Sequence, residues 1–174
     1  MKKTVAMFCV VLILSLAACA MAQTVRFVED SPEFNIEMEL PEGTTLGNQT
    51  SQGMVSVAEL RHDDHANVRV SIAPSELYDG MSLEEMSDEE VGYLMTALCA
   101  EYENPSAEMG VTPSGNEYIY ICSNEATDID SICTVYKGYF ITLVQMNDDL
   151  SPLGESDYEY LLELLYNLNF IPLT

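Results

Sequence analysis

Phe34-Asn35-Ile36-Glu37-Met38-Glu39-Leu40-Pro41-Glu42-Gly43 is the stretch that decides the fold. Apolar and polar residues alternate strictly from Phe34 to Leu40, the period of a strand with one face on a core and the other in water. Pro41-Glu42-Gly43 then ends the run with turn chemistry. Working outward, Met54–Leu60 and Asn67–Ala73 read as the next two strands, around a polar turn at His62–His65. Val68, Val70 and Ile72 fall on one strand face. Ser87 followed by Glu90 is a capping box, and Asp88 and Glu89 suit the positive end of a helix dipole. The helix it opens carries Val91, Leu94, Met95, Leu98 and Tyr102 as an apolar stripe, and Asn104-Pro105 closes it. Three strands follow at Glu117–Ser123, Ser131–Tyr136 and Tyr139–Met146, the last two joined tightly at Lys137-Gly138. Ser156 is read as the cap of a final helix with the stripe Tyr158, Leu161, Leu162, Leu165 and Leu168. Strands, helix, strands, helix with short connections predict an α+β fold, an antiparallel sheet with helices packed on it. Tyr118–Cys122 and Phe140–Val144 carry no charge, so the sheet is expected to be covered on both faces.

Two of these stretches also carry a family likeness. The run from Phe34 to Gly43 resembles the opening strand of PsbP-like domains. So does the close, Gly138-Tyr139-Phe140-Ile141-Thr142-Leu143, followed by Leu161-Leu162, Leu165, Leu168 and Phe170. The resemblance spans about Phe34 to Ile171, and its pattern is hydrophobic, without a catalytic signature. It implies an α-β-α sandwich around an antiparallel sheet. It also implies a small binding or accessory protein of a group with many exported members, and it brings no functional residue with it.

Charge narrows the function classes. The chain holds 29 Asp plus Glu against six Lys plus Arg, a net charge of −23. Such a surface excludes binding to nucleic acid phosphates and to anionic lipid. Disorder is excluded too, because 48% of the residues are hydrophobic. Lys2-Lys3 and the apolar run from Val5 to Ala18 have the form of a bacterial secretory signal. Ala20-Met21-Ala22 before Gln23 fits ordinary cleavage, giving a leader of residues 1–22 and a single domain of residues 23–174. Leu16-Ala17-Ala18-Cys19 fits a lipobox instead, with a leader of residues 1–18 and Cys19 lipidated; the two remain alternatives. Either way the protein is expected to be exported, extracellular or at the cell envelope. Without Lys2 and Lys3, four cations face 29 acids and the domain carries −25. The expected partner is therefore a protein with basic features, or a small cationic ligand or metal.

Candidate chemistry is sparse. Three cysteines remain after the leader, Cys99, Cys122 and Cys133. A hairpin centred between Thr127 and Asp128 would set Cys122 opposite Cys133, making this pair the disulfide candidate; three buried free thiols are the alternative. Arg61-His62-Asp63-Asp64-His65, with Arg69 nearby, holds both histidines. His62 and His65 are zinc-type ligands, yet a tight turn rarely aims four neighbouring side chains at one ion, and a solvated hairpin tip competes with this reading. Asp128-Ile129-Asp130 and Asn147-Asp148-Asp149 lack the spacing and glycine of a calcium loop. No nucleophile elbow, phosphate-cradling glycine loop or His-Glu-x-x-His is present. The expectation is thus a non-enzymatic binding or accessory domain, with no catalytic residue and no cofactor. A small hydrolase or metal protein using the His62–His65 turn or a carboxylate pair is the alternative. Tyr118 and Tyr120 share one strand face and are read as packing beneath a helix, with a partner surface as the other choice.

Overall fold

The alternating run at Phe34 forms β2 (Phe34–Glu39), burying Phe34, Ile36 and Met38 and exposing Glu39. The structure is a computed structural model of the chain, and it describes residues 23–28, 34–52, 55–100, 102–123, 129–148 and 151–172. The leader, with Cys9 and Cys19, lies outside the described residues. Strand β2 is the middle of a three-stranded antiparallel sheet with β1 (Thr24–Val28) and β10 (Leu168–Pro172). Among the described residues the main sheet has seven strands: β3 (Thr44–Gln52), β4 (Val55–His62), β5 (Asn67–Pro74), β6 (Pro105–Val111), β7 (Glu117–Ser123), β8 (Ile129–Tyr136) and β9 (Tyr139–Met146). Their order across the sheet is β3-β4-β5-β9-β8-β7-β6, and every neighbouring pair is antiparallel. With helices α1 (Asp88–Cys99) and α2 (Glu155–Tyr166) the molecule is an α+β sandwich.

Period-two burial sends alternate residues of the large sheet to two separate cores. On one face Val68, Val70, Ile72, Ile132, Ile141 and Leu143 pack against the small sheet and against Leu161, Leu164 and Leu165 of α2. On the other, Ile119, Ile121 and Val135 pack against Leu94, Met95 and Leu98 of α1. Each fully buried aliphatic side chain contributes about 1.5–3 kcal/mol, so both layers are driven mainly by area removed from water. One helix thus lies on each face of the main sheet, the expected α-β-α sandwich, and the small sheet with β2 shares one face with α2.

Helix α1 begins as its capping box predicts. The Ser87 hydroxyl accepts from the Glu90 N–H at 3.4 Å, and the Glu90 carboxylate accepts from the Ser87 N–H at 2.8 Å. The Ser87 N–H, together with the Ser87 hydroxyl that donates to the same carboxylate at 2.7 Å, holds the Glu90 carboxyl below its ordinary range. Helix α2 differs from expectation: Gly154, not Ser156, is its N-cap, and its N–H donates to Asp157 Oδ2 at 2.9 Å. Its buried stripe is Tyr160, Leu161, Leu164 and Leu165, while Leu168 has already entered β10. Four further strands, β1, β3, β6 and β10, extend the predicted set. Gly92 lies inside α1 with open space where a Cβ would stand. Gly92→Ala is therefore expected to stabilise the protein by about 0.8–1 kcal/mol, raising the thermal midpoint by about 2–4 °C in a circular dichroism melt; a lowered midpoint would show that the helix surface is covered.

Candidate functional site

Because α1 packs on β6 and β7, it covers only half of its face of the large sheet. The other half, on β4, β5, β9 and the start of β8, forms a groove of about 900 Å³. Strand alternation builds it. Leu60, Val68 and Leu143 point to the core, so Glu59, Arg61, Arg69 and Val144 on the same strands point the opposite way and line the groove. Register sets Glu59 against Arg69 and Arg69 against Val144. Met146 and Ile129, paired across β9 and β8, extend the floor.

The groove's charges are unequally satisfied. Arg61 Nη2 lies 3.8 Å from Glu59 Oε2, and Asn48 donates to the same oxygen at 3.2 Å. Both members of this ion pair are largely exposed, so it contributes at most about 1 kcal/mol. Arg69 makes no ion pair among the described residues. The two other described cations are engaged elsewhere. Arg26 donates to Glu37 at 2.6 Å, and the Lys137 ammonium lies 5.7 Å from the ring centres of Phe34 and Tyr136. Asp63 and Asp148 stand at the rim, Asp148 accepting from Asn67 at 2.9 Å.

The histidine turn sits at the same end of the sheet. His62 and His65 have ring centres 4.6 Å apart, and His65 stacks on Tyr160 of α2, also at 4.6 Å. His62 Nδ1 accepts from the Asp64 N–H at 3.0 Å, which leaves Nε2 as the protonated nitrogen, 3.2 Å from the Glu42 carbonyl oxygen. Both nitrogens of His62 are thus occupied by the backbone. His65 Nδ1 is buried 3.6 Å from Asp157 Oδ1. Among the described residues no three His, Cys, Asp or Glu side chains are placed to hold a metal ion. The turn joins β4 and β5 and docks on α2 through aromatic contact.

The cysteines do not meet. Cys122 pairs with Asp130 and Cys133 with Ile119, a register three residues away from the one that would oppose them. An odd offset also turns them to opposite faces. Cys133 lies on the α1 side, where burial pushes its thiol well up, whereas Cys122 lies on the α2 side, 3.1 Å from the Ser106 hydroxyl. Both are free thiols, as is Cys99. Tyr118 and Tyr120 lie under α2. The Tyr120 ring is 4.6 Å from that of Tyr158, and burial raises the Tyr118 hydroxyl to about 12. A Cβ on Gly110 would meet the Tyr118 ring at 2.2 Å, so the glycine is what admits that ring. Of the acidic stretches, Asp128 and Asp149 lie outside the described residues; Asp148 is exposed and Asp130 is buried.

Asp130 belongs to a second polar cluster, beneath the first turn of α2. Its Oδ2 accepts from the Tyr120 hydroxyl at 2.9 Å, while its Oδ1 is buried with no partner among the described residues. Gln145, its register partner on β9, is fully buried, its own Oε1 without a partner among the described residues and its amide nitrogen reaching the Ala66 carbonyl oxygen at 3.5 Å. The Ala66 N–H in turn donates to Asp157 Oδ1 at 3.0 Å. Burial, with Asp157 adding repulsion against the Tyr120 bond, raises the Asp130 carboxyl above its ordinary range. Sequence reasoning passed over Gln145; the signal was a lone amide in the otherwise apolar alternation Tyr139, Ile141, Leu143.

No protein-family model matches the chain, and no curated protein matches it. Among solved structures the chain is similar to cyanobacterial PsbP from Synechocystis, at 14% sequence identity and a TM-score of 0.48, over 87% of this chain and 94% of that one.

Proposed function

We propose that this protein is a non-enzymatic binding or accessory domain, exported to the bacterial cell envelope or beyond, which binds through the open half of its large sheet. The groove there carries the reading: it is concave, floored by Val144, Met146 and Ile129, and it holds the Arg69 guanidinium, which makes no ion pair among the described residues. Ligand sites combine an apolar lining with a few placed polar groups in this way. The histidine turn supports the same reading from the other side, since its imidazoles are spent on holding β4, β5 and α2 together. Export rests on the leader sequence, by ordinary cleavage after residue 22 or by lipidation of Cys19. The domain charge of −25 favours a protein with basic features approaching over the acidic rim.

The test is capture from a native envelope extract by the purified protein and by Val144→Asp, a substitution on the half-exposed floor of the groove. The specifically retained partner is expected to fall at least about tenfold with the variant, whose melt should otherwise match. Equal capture by both proteins would remove the open sheet face from the reading.

A further inference from the structure

We infer that the groove is a site for an amphipathic carboxylate, with Arg69 taking the carboxylate group and Val144, Met146 and Ile129 taking the apolar stem. This rests on the reading of the groove as the binding surface, and it names the chemical class bound there. The first support is the arginine's isolation. In a domain with 29 acids and four cations, a guanidinium placed at random would find a carboxylate, and Arg61 and Arg26 have done so. Arg69 has none among the described residues, although Glu59 is its register partner, because Glu59 is drawn to Arg61 and Asn48 on its other side. Any ligand that covered Arg69 without bringing an anion would bury an unpaired charge, so an anion is what the centre of the groove selects. A guanidinium fork matches a carboxylate through two parallel hydrogen bonds.

The floor beside it supplies the second half of the chemistry. Val144 is the cross-strand neighbour of Arg69, and Met146 lies two residues further on the same face, 42% exposed, with Ile129 opposite. That row runs away from the guanidinium as a continuous apolar strip, and the length of unbranched methionine adapts to a flexible chain. The domain's negative charge does not cancel the assignment. Acids dispersed over the coat act through salt, which screens them beyond about 8 Å at physiological ionic strength, whereas Arg69 acts at contact. Rim and centre thus make opposite demands, and the centre decides the bound group.

Isothermal titration of the purified protein with decanoate, decyltrimethylammonium and decanol, each below its micelle concentration, tests this. Decanoate is expected to bind at least about tenfold tighter than either of the others. Arg69→Gln should weaken decanoate by about tenfold or more, and Met146→Ser by about threefold, while Arg26→Gln, in the small sheet, should change it less than twofold. Matching melts verify that each variant folds. Saturable binding of decyltrimethylammonium in preference to decanoate would overturn the carboxylate assignment and leave the groove as a binding surface. So would decanoate binding that is unchanged in Arg69→Gln. Absence of binding by all three, together with equal capture by Val144→Asp, would remove the site and the function reading at once.

Discussion

Gly138→Val is expected to lower the thermal midpoint by about 6–12 °C, a loss of about 3 kcal/mol in a domain of this size. Lys137 and Gly138 form the β8–β9 hairpin with φ of 45° and 82°, the left-handed pair that lets a two-residue turn follow the twist of its strands. A side chain at φ 82° costs about 1–2 kcal/mol by itself. At Gly138 it also has nowhere to go, since a Cβ would stand 2.8 Å from the Gly80 backbone nitrogen and 3.2 Å from Asp79 Cα. The turn is tied to that segment through both of its peptide groups. The Gly138 N–H donates to the Met81 carbonyl oxygen at 2.7 Å, and the Gly138 carbonyl oxygen accepts from the Ser75 N–H at 2.8 Å. Relief of the clash therefore requires residues 75–81 to leave, which uncovers the core around Leu83, fully buried against α1. The measurement is a pair of circular dichroism melts with Gly138→Asn alongside. Asparagine tolerates positive φ but keeps the Cβ, so it should recover only the conformational part. A midpoint within 2 °C of the parent for the valine variant would mean that the segment 75–81 does not clasp the turn.

That hairpin was readable in the chain, because Lys-Gly between two apolar runs is turn chemistry with one outcome. So were the capping box of α1 and the alternation of β2, where local signals and tertiary structure agree. Strands β3 and β6 were hidden for physical reasons. Both are edges of the large sheet, and β3 is exposed from Gly47 to Gln52. Apolar periodicity therefore has nothing to mark there. Pro105 read as a helix stop, and it is one. It also opens β6, tolerated because an edge strand leaves one side of its backbone unpaired, after Asn104 has turned the chain at φ 47°. The cysteines illustrate how little a loop reveals about register: a shift of three in the pairing of β7 and β8 moves Cys122 and Cys133 from partners to opposite faces. For the groove, alternation alone turns Arg61 and Arg69 away from the core. What local sequence around them does not contain is that α1 stops short of them, because helix placement is decided by contacts with β6 and β7, which follow α1 in the chain and lie at the opposite edge of the sheet from β4 and β5.

Asp130→Asn is expected to stabilise the protein at pH 7 by about 1–2 kcal/mol, the cost of a buried acceptor left without a donor. This raises the midpoint by about 2–8 °C. Asp130 and Gln145 are register partners on one face, each with a buried oxygen that has no partner among the described residues, so this face holds two acceptors and lacks a donor. The asparagine amide supplies that donor to Gln145, while its carbonyl oxygen still accepts from Tyr120. The groups that face this site are Asp157 and Tyr158 of α2, His65 of the turn, and Tyr120 and Cys122 of β7, none of them a cation paired with Asp130. Burial raises the folded-state pKa of Asp130 above its unfolded value, so the charged carboxylate weakens the native state at every pH above that folded value. The penalty fades as pH falls through the folded pKa and is gone below the unfolded one, near 3.9. Protonated Asp130 can itself donate to Gln145, which makes it the equal of asparagine there. The advantage of the variant should therefore be full at pH 7 and should vanish towards pH 4, as read from urea unfolding at both values. Asp130→Ala separates this from a simple loss of charge, because it strands the Tyr120 hydroxyl and should destabilise at either pH. An asparagine variant whose gain is the same at pH 4 as at pH 7, or which is no more stable than the parent at pH 7, would show that the two oxygens already share a donor, and the buried cluster would then be a satisfied network rather than a strained one.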